Sequence, residues 1–184
     1  MHRKSPGLPA LLLTIWVCSA GVAGTPVKAP EFTHTASSEW INSSPLRISS
    51  LRGSVVLIEF WAFDCVNCRN TLPWVEAVQA EYGSRGLKIV SVHTPELKQE
   101  YAPANVRRVV KELGISYPVM IDRDYSHWSA LNNRYWPAFY LVDRKGKIVR
   151  TALGELHRGQ ERGDAMEQAI REQLDGTSTG VAER

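Results

Sequence analysis

An apolar run feeding directly into a closely spaced cysteine pair constrains this chain more than anything else in it. Val55-Val56-Leu57-Ile58-Glu59-Phe60 is broken only by Glu59, and Trp61-Ala62-Phe63-Asp64-Cys65-Val66-Asn67-Cys68 follows without a gap. A short, continuous apolar run suits a strand buried on both faces. After the cysteines the spacing becomes helical, with Leu72, Val75, Val78 and Tyr82 on related faces from Asn67 to Tyr82 and Pro73 expected to kink the helix. The order is therefore strand, Cys-x-x-Cys, helix. This puts Cys65 at a helix N-terminus, where unpaired backbone N–H groups and the helix dipole favour a thiolate. A thiolate is the nucleophile of disulfide exchange.

The remaining pattern extends this unit. Leu87 to Val92 reads as a second strand, and Thr94 with Pro95 as a helix start. Asn105 to Leu113 reads as a helix closed by Gly114, and Tyr117 to Ile121 as a short strand. Asp124 is expected to cap a short helix through Leu131. Ala138–Val142 and Lys147–Thr151 are strands joined by the hairpin signal Asp143-Arg144-Lys145-Gly146, and Asp164 to Leu174 is a final amphipathic helix. Before the first long strand, Trp40-Ile41-Asn42 and the stretch from Pro45 to Gly53 suggest short strands and a turn. Alternating strands and helices followed by a hairpin and helix imply an α/β fold, a mixed sheet flanked by helices.

The chain is expected to divide into residues 1–24 as an export signal, 25–38 as a linker, 39–175 as one domain and 176–184 as a disordered tail. Arg3 and Lys4 precede a largely apolar stretch from Leu8 to Val17, and the small residues Ser19 to Gly24 suit cleavage. Retention as an N-terminal membrane anchor is the alternative. Cleavage would remove Cys18 and leave Cys65 and Cys68, a single pair and no disulfide scaffold. The net charge of +3 falls to +1 beyond residue 24, with 20 basic and 19 acidic residues, and no long basic run points to nucleic acid.

Other chemistry at Cys-x-x-Cys fits less well. A zinc half-site needs two more ligands, and His93, His127 and His157 are isolated in sequence. A c-type haem needs His after the second Cys, where Arg69 stands. A structural disulfide, a Cu(I)-binding thiol adaptor or metallochaperone, and a thiol peroxidase remain as rivals. Glu59, an acid in an apolar strand, should have its pKa raised and could relay a proton to or from Cys68 through water. Its alternative is a carboxylate at the strand edge. Asp64 could cap the helix and oppose a thiolate at Cys65, or point into solvent. His93, His127, Trp128, Tyr135 and Trp136 are candidates for a substrate groove or for plain core. Arg107 and Arg108 read as a solvated helix face. Pro137 marks the start of a strand.

Five stretches carry a family resemblance: Glu59-Phe60-Trp61-Ala62, Cys65 to Pro73, Val92-His93-Thr94-Pro95-Glu96, Asn105-Val106-Arg107-Arg108 and Asn133 to Ala138. Over roughly Trp40 to Gly154 the chain resembles thioredoxin-like proteins. It is similar to the periplasmic thioredoxin-like domain of DipZ-type cytochrome c biogenesis proteins and, more distantly, to TlpA-type oxidoreductases. The resemblance implies a thioredoxin-like fold, Cys65 and Cys68 as the redox pair, Glu59 in the place of the buried acid, and Pro137 as a cis-proline beside the site. Trp136 and Trp61 are the candidate substrate contacts. The resemblance also implies an exported protein-disulfide oxidoreductase acting as a reductase, with cytochrome c maturation as one such role, and no metal or organic cofactor. Its partners would be protein thiols or disulfides and a membrane or periplasmic electron donor, with no nucleic acid and membrane contact only through an uncleaved N-terminus. Asp64 departs from the uncharged residue that usually precedes the nucleophile in such proteins.

Overall fold

The computed structural model describes residues 27–176, so the expected signal segment and nearly all of the expected tail lie outside the described residues. Seven strands form one sheet, in the order β1(Val27–Lys28), β7(Lys147–Leu153), β6(Ala138–Val142), β3(Val55–Trp61), β4(Leu87–His93), β5(Val119–Ile121), β2(Trp40–Ile41). The β3–β4 and β4–β5 pairs are parallel, and the other four pairs are antiparallel. Four α-helices lie among the described residues: α1(Val66–Tyr82), α2(Pro103–Glu112), α3(Ser126–Ala130) and α4(Glu161–Asp175). None of the described helices is long and apolar enough to cross a membrane.

β3 is buried along its whole length, as its apolar run requires. Alternation sends Val55, Leu57 and Trp61 to the face covered by α1, α2 and α4, and Val56, Ile58 and Phe60 to the other. Glu59 shares the α1 face. That helix buries Trp74, Val75, Val78 and Tyr82, each contributing about 1.5–3 kcal/mol, and runs continuously past Pro73. The β6–β7 turn works as its sequence suggests: Asp143 Oδ1 accepts from the Lys145 and Lys147 N–H groups, and Gly146 takes a left-handed φ of 78°.

The opposite face corrects the expected linker at 25–38. Val27–Lys28 pairs with β7, and Ala29, Phe32 and His34 are buried. Phe32 meets Trp40 edge-on, and His34 Nε2 lies 3.1 Å from Asp122. Arg107 is also not a plain solvated residue. Its guanidinium donates to the carbonyls of Trp40 and Ser38, whereas Arg108 is exposed and paired with Glu112. Thr94 and Pro95 start no helix. The Thr94 hydroxyl donates to Asp122 Oδ2, and α2 begins at Pro103, which takes the first-turn position instead. Asp124 does accept from the Ser126 N–H at the head of α3, and Asp122 accepts from the His127 and Trp128 N–H groups behind it.

Candidate active site

Strand direction gathers the site at one end of the sheet. β3 and β4 both end there, β6 begins there, and β7 ends there opposite Ala138. Residues 62–65 turn out of β3 by a Cys65 N–H bond to the Ala62 carbonyl and enter α1. Cys65 is the N-cap, and its Sγ accepts the Cys68 N–H at 3.2 Å. Asp64 therefore does not cap this helix. Its exposed carboxylate accepts from Gln99 Nε2 at 2.6 Å. Cys65 and Cys68 form a disulfide with Cα atoms 5.3 Å apart. Cys65 is 8% exposed and Cys68 3%, so the first residue of the pair is the more exposed. Next to it, Val66 projects outward and is 69% exposed. The Arg69 side chain folds back to donate to the Phe63 carbonyl, which ties the entry turn to the first turn of the helix.

Beneath the disulfide, Glu59 is fully enclosed. Burial pushes its carboxyl up to about 7 despite a 2.9 Å hydrogen bond from the Ser91 hydroxyl. Ser91 is its register partner on β4. Glu59, Cys68, Trp61 and Tyr117 line a common cavity of about 10 Å³, room for about one water molecule. The Tyr117 hydroxyl and Trp61 Nε1 are buried there without a hydrogen-bond partner among the described residues. Burial raises the Tyr117 hydroxyl well above its ordinary range. The sequence reading missed Ser91 and Tyr117. A hydroxyl in an apolar strand opposite Glu59 is the signal that identifies Ser91.

At the same end of the sheet, the Trp136–Pro137 bond is cis. Ala138 pairs with Phe60, so Pro137 falls next to Trp61 at the end of β3. Trp136 is half-buried, its indole N–H donates to the Thr94 carbonyl at 3.0 Å, and it packs against Trp128 with centroids 4.2 Å apart. Tyr135 is exposed. Trp61 itself lies under the surface at 4% exposure, edge-on to His93, so it packs and does not present a face to a substrate.

The two histidines also leave the groove. His93 stacks on Phe63 and His127 on Phe60, and neither is exposed. Burial drives His93 down to about 3 and His127 to about 4. His34, Asp122 and Asp124 bring possible ligand atoms within 4.8 Å of one another. Asp122 is already saturated by hydrogen bonds from Thr94, His127 and Trp128 as well as His34, so the group is a structural hub tying α3 to the N-terminal segment.

Comparison with known proteins agrees with this geometry. The Redoxin family profile matches residues 23–170. Protein DipZ of Mycobacterium tuberculosis is 44% identical over 119 residues, covering 63% of this chain and 17% of that protein. The chain thus spans about a sixth of DipZ. The thiol-disulfide oxidoreductase YkuV of Bacillus subtilis is 28% identical over 120 residues, 65% of this chain and 80% of its own length. Among solved structures, a Chlorobium tepidum protein provisionally described as the thiol:disulfide interchange protein DsbE superposes with a TM-score of 0.68. It is 26% identical and covers 81% of this chain and 96% of its own.

Proposed function

This chain belongs to the Redoxin family and is a protein-disulfide oxidoreductase with a thioredoxin-like fold, and from that we propose that Cys65 attacks, Cys68 resolves, and the net reaction reduces disulfides of exported proteins. The observation that carries the reading is Cys65 at the N-cap of α1, its sulfur accepting a first-turn N–H and the residue as a whole more exposed than Cys68. Partial positive charge at that end favours a thiolate.

In the reduced protein, the Cys65 thiolate attacks one sulfur of a substrate disulfide. A Cys65–substrate mixed disulfide forms, and the other substrate sulfur leaves as a thiolate. Cys68 gives its proton through water to Glu59, and its thiolate attacks Cys65 Sγ. The Cys65–Cys68 disulfide closes and the second substrate thiolate departs. Two electrons pass from the dithiol to the substrate, and an external dithiol donor must return them. The cavity shared by Glu59 and Cys68 supports this proton route, because an acid held near 7 exchanges protons readily at neutral pH. Half-buried Trp136 and exposed Tyr135 offer an aromatic surface at the end of the sheet where the disulfide lies, directly before Pro137 in the chain. Those residues are the substrate contacts in this reading, in preference to Trp61.

Export rests on the basic, apolar and small-residue pattern of residues 1–24. A role in cytochrome c maturation rests on the resemblance to DipZ-type proteins. The test is Cys68→Ser presented with a disulfide-bonded protein substrate. A stable mixed disulfide mapping to Cys65 is expected, and Cys65→Ser should trap nothing. Trapping through Cys68 alone would reverse the assignment.

A further inference from the structure

The loop between β4 and α2 carries a carboxylate that the exchange chemistry above does not use. Glu100 lies in the 3₁₀ turn Lys98–Tyr101 and is 0% exposed. A buried carboxylate is costly unless its oxygens accept hydrogen bonds. Glu100 accepts three, all from backbone N–H groups and none from a cation. Oε2 takes the N–H groups of Glu96 and Leu97 at 2.6 and 2.7 Å, which closes its own loop. Oε1 takes the N–H of Asp64 at 2.8 Å. That donor is 36 residues away and stands immediately before Cys65. Gln99, the preceding residue of the same turn, donates to the Asp64 carboxylate at 2.6 Å. Two neighbouring side chains of one loop thus hold two atoms of the residue ahead of the cysteine pair.

We propose that Glu100 is a positioning residue for the dithiol: it fixes the Phe63–Asp64 peptide that delivers Cys65 to the helix, and its buried negative charge sets the balance between dithiol and disulfide. The inference rests on Cys65 being the attacking thiol. The helix N-terminus stabilises a Cys65 thiolate, and thiolate stabilisation favours the reduced form and makes a pair more oxidising. An anion one residue away opposes that stabilisation in a site poorly screened by water. Glu100 therefore keeps the pair more reducing than the helix N-terminus alone would.

Glu100→Gln separates the two halves of the clamp. Glutamine has one acceptor oxygen and one NH₂ donor group. Satisfying the two loop N–H groups with the oxygen leaves the NH₂ facing the Asp64 N–H. The loop ties stay, while the tie to the site and the charge are lost. The experiment is equilibration of the variant and the unaltered protein against glutathione, with the Cys65 thiolate titrated by absorbance at 240 nm. The expected result is a shift of about tenfold toward the dithiol, equivalent to about 30 mV for a two-electron couple, with Cys65 titrating at lower pH. An equilibrium within about threefold of the unaltered protein and an unmoved titration, with only the melting temperature lowered, would mean a purely structural role and overturn the proposal. If Glu100→Gln does not fold, amide exchange in the unaltered protein decides. Protection of the Asp64 N–H equal to that of Glu96 and Leu97 supports the clamp, and exchange at open-loop rates overturns it. The identity of the attacking thiol is read separately, by which cysteine of the reduced protein is alkylated first.

Discussion

Glu59→Gln turns the buried acid into a measurement. Glutamine keeps the shape and an acceptor for the Ser91 hydroxyl but cannot ionise. In the folded protein burial holds the Glu59 carboxyl up at about 7, against an ordinary value of 4.5. Below about pH 4.5 the carboxyl is protonated whether the chain is folded or not, and the two proteins differ by a constant. Between 4.5 and 7 the unfolded chain releases a proton that the folded chain retains, so the unaltered protein loses stability as pH rises. Above 7 both states are ionised and the loss levels off. A rise from 4.5 to about 7 is worth about 3 kcal/mol. The stability of Glu59→Gln minus that of the unaltered protein should therefore climb by about 3 kcal/mol from pH 4.5 to pH 8. Urea unfolding of both oxidised proteins at half-unit pH steps gives this difference directly, with every other titrating group cancelling. A flat difference curve would refute the argument that Glu59 is enclosed and uncompensated. The same substitution should slow resolution of the mixed disulfide roughly hundredfold near neutral pH, the lower end of what a positioned proton acceptor contributes.

Other perturbations follow from the same physics. His93 is neutral and buried with its folded value near 3, so below about pH 6.5 the unfolded chain binds a proton that the folded chain refuses, and stability falls as pH falls. His93→Leu should flatten that acid limb in unfolding experiments at pH 3.5 to 6.5, and an unchanged acid limb would show that the ring is not sequestered. Asp64→Ser removes an exposed carboxylate beside Cys65 and should lower the Cys65 titration by roughly half a pH unit at low salt. A thiolate titration showing no fall would mean that the Asp64 charge does not reach the sulfur.

The unit from β3 through the cysteine pair into α1 was legible because its signals are local. A continuous apolar run, a change of period at Cys68 and one misplaced acid are visible without knowing what packs where. The β6–β7 hairpin was legible for the same reason, since Asp143 and Gly146 carry the turn chemistry themselves. What escaped depends on distant partners. Residues 27–38 look like a linker because they are polar, yet Val27 pairs with Ile148 and His34 meets Asp122, 88 residues away. Thr94-Pro95 has the local form of a helix start, but Asp122 claims the Thr94 hydroxyl. Glu100 sits in a polar run, and its partners are backbone N–H groups, to which residue type gives no clue. For His93 and His127 the sequence leaves groove and plain core both open, and only the aromatic rings packed on them decide for core.

The two-residue strands β1 and β2 come from one stretch of chain but close opposite margins of the sheet. β1 lies on β7 and β2 on β5, and between them residues 29–39 cross the whole face beneath Phe60 and Tyr140. A strand margin left open is a template for another chain to add to. Here a single belt covers two residues of each margin, so one cut within it would unlatch both together. Lys147 and Ile148 of β7, and Val119 and Met120 of β5, are thus shielded from an added strand only while the belt is whole.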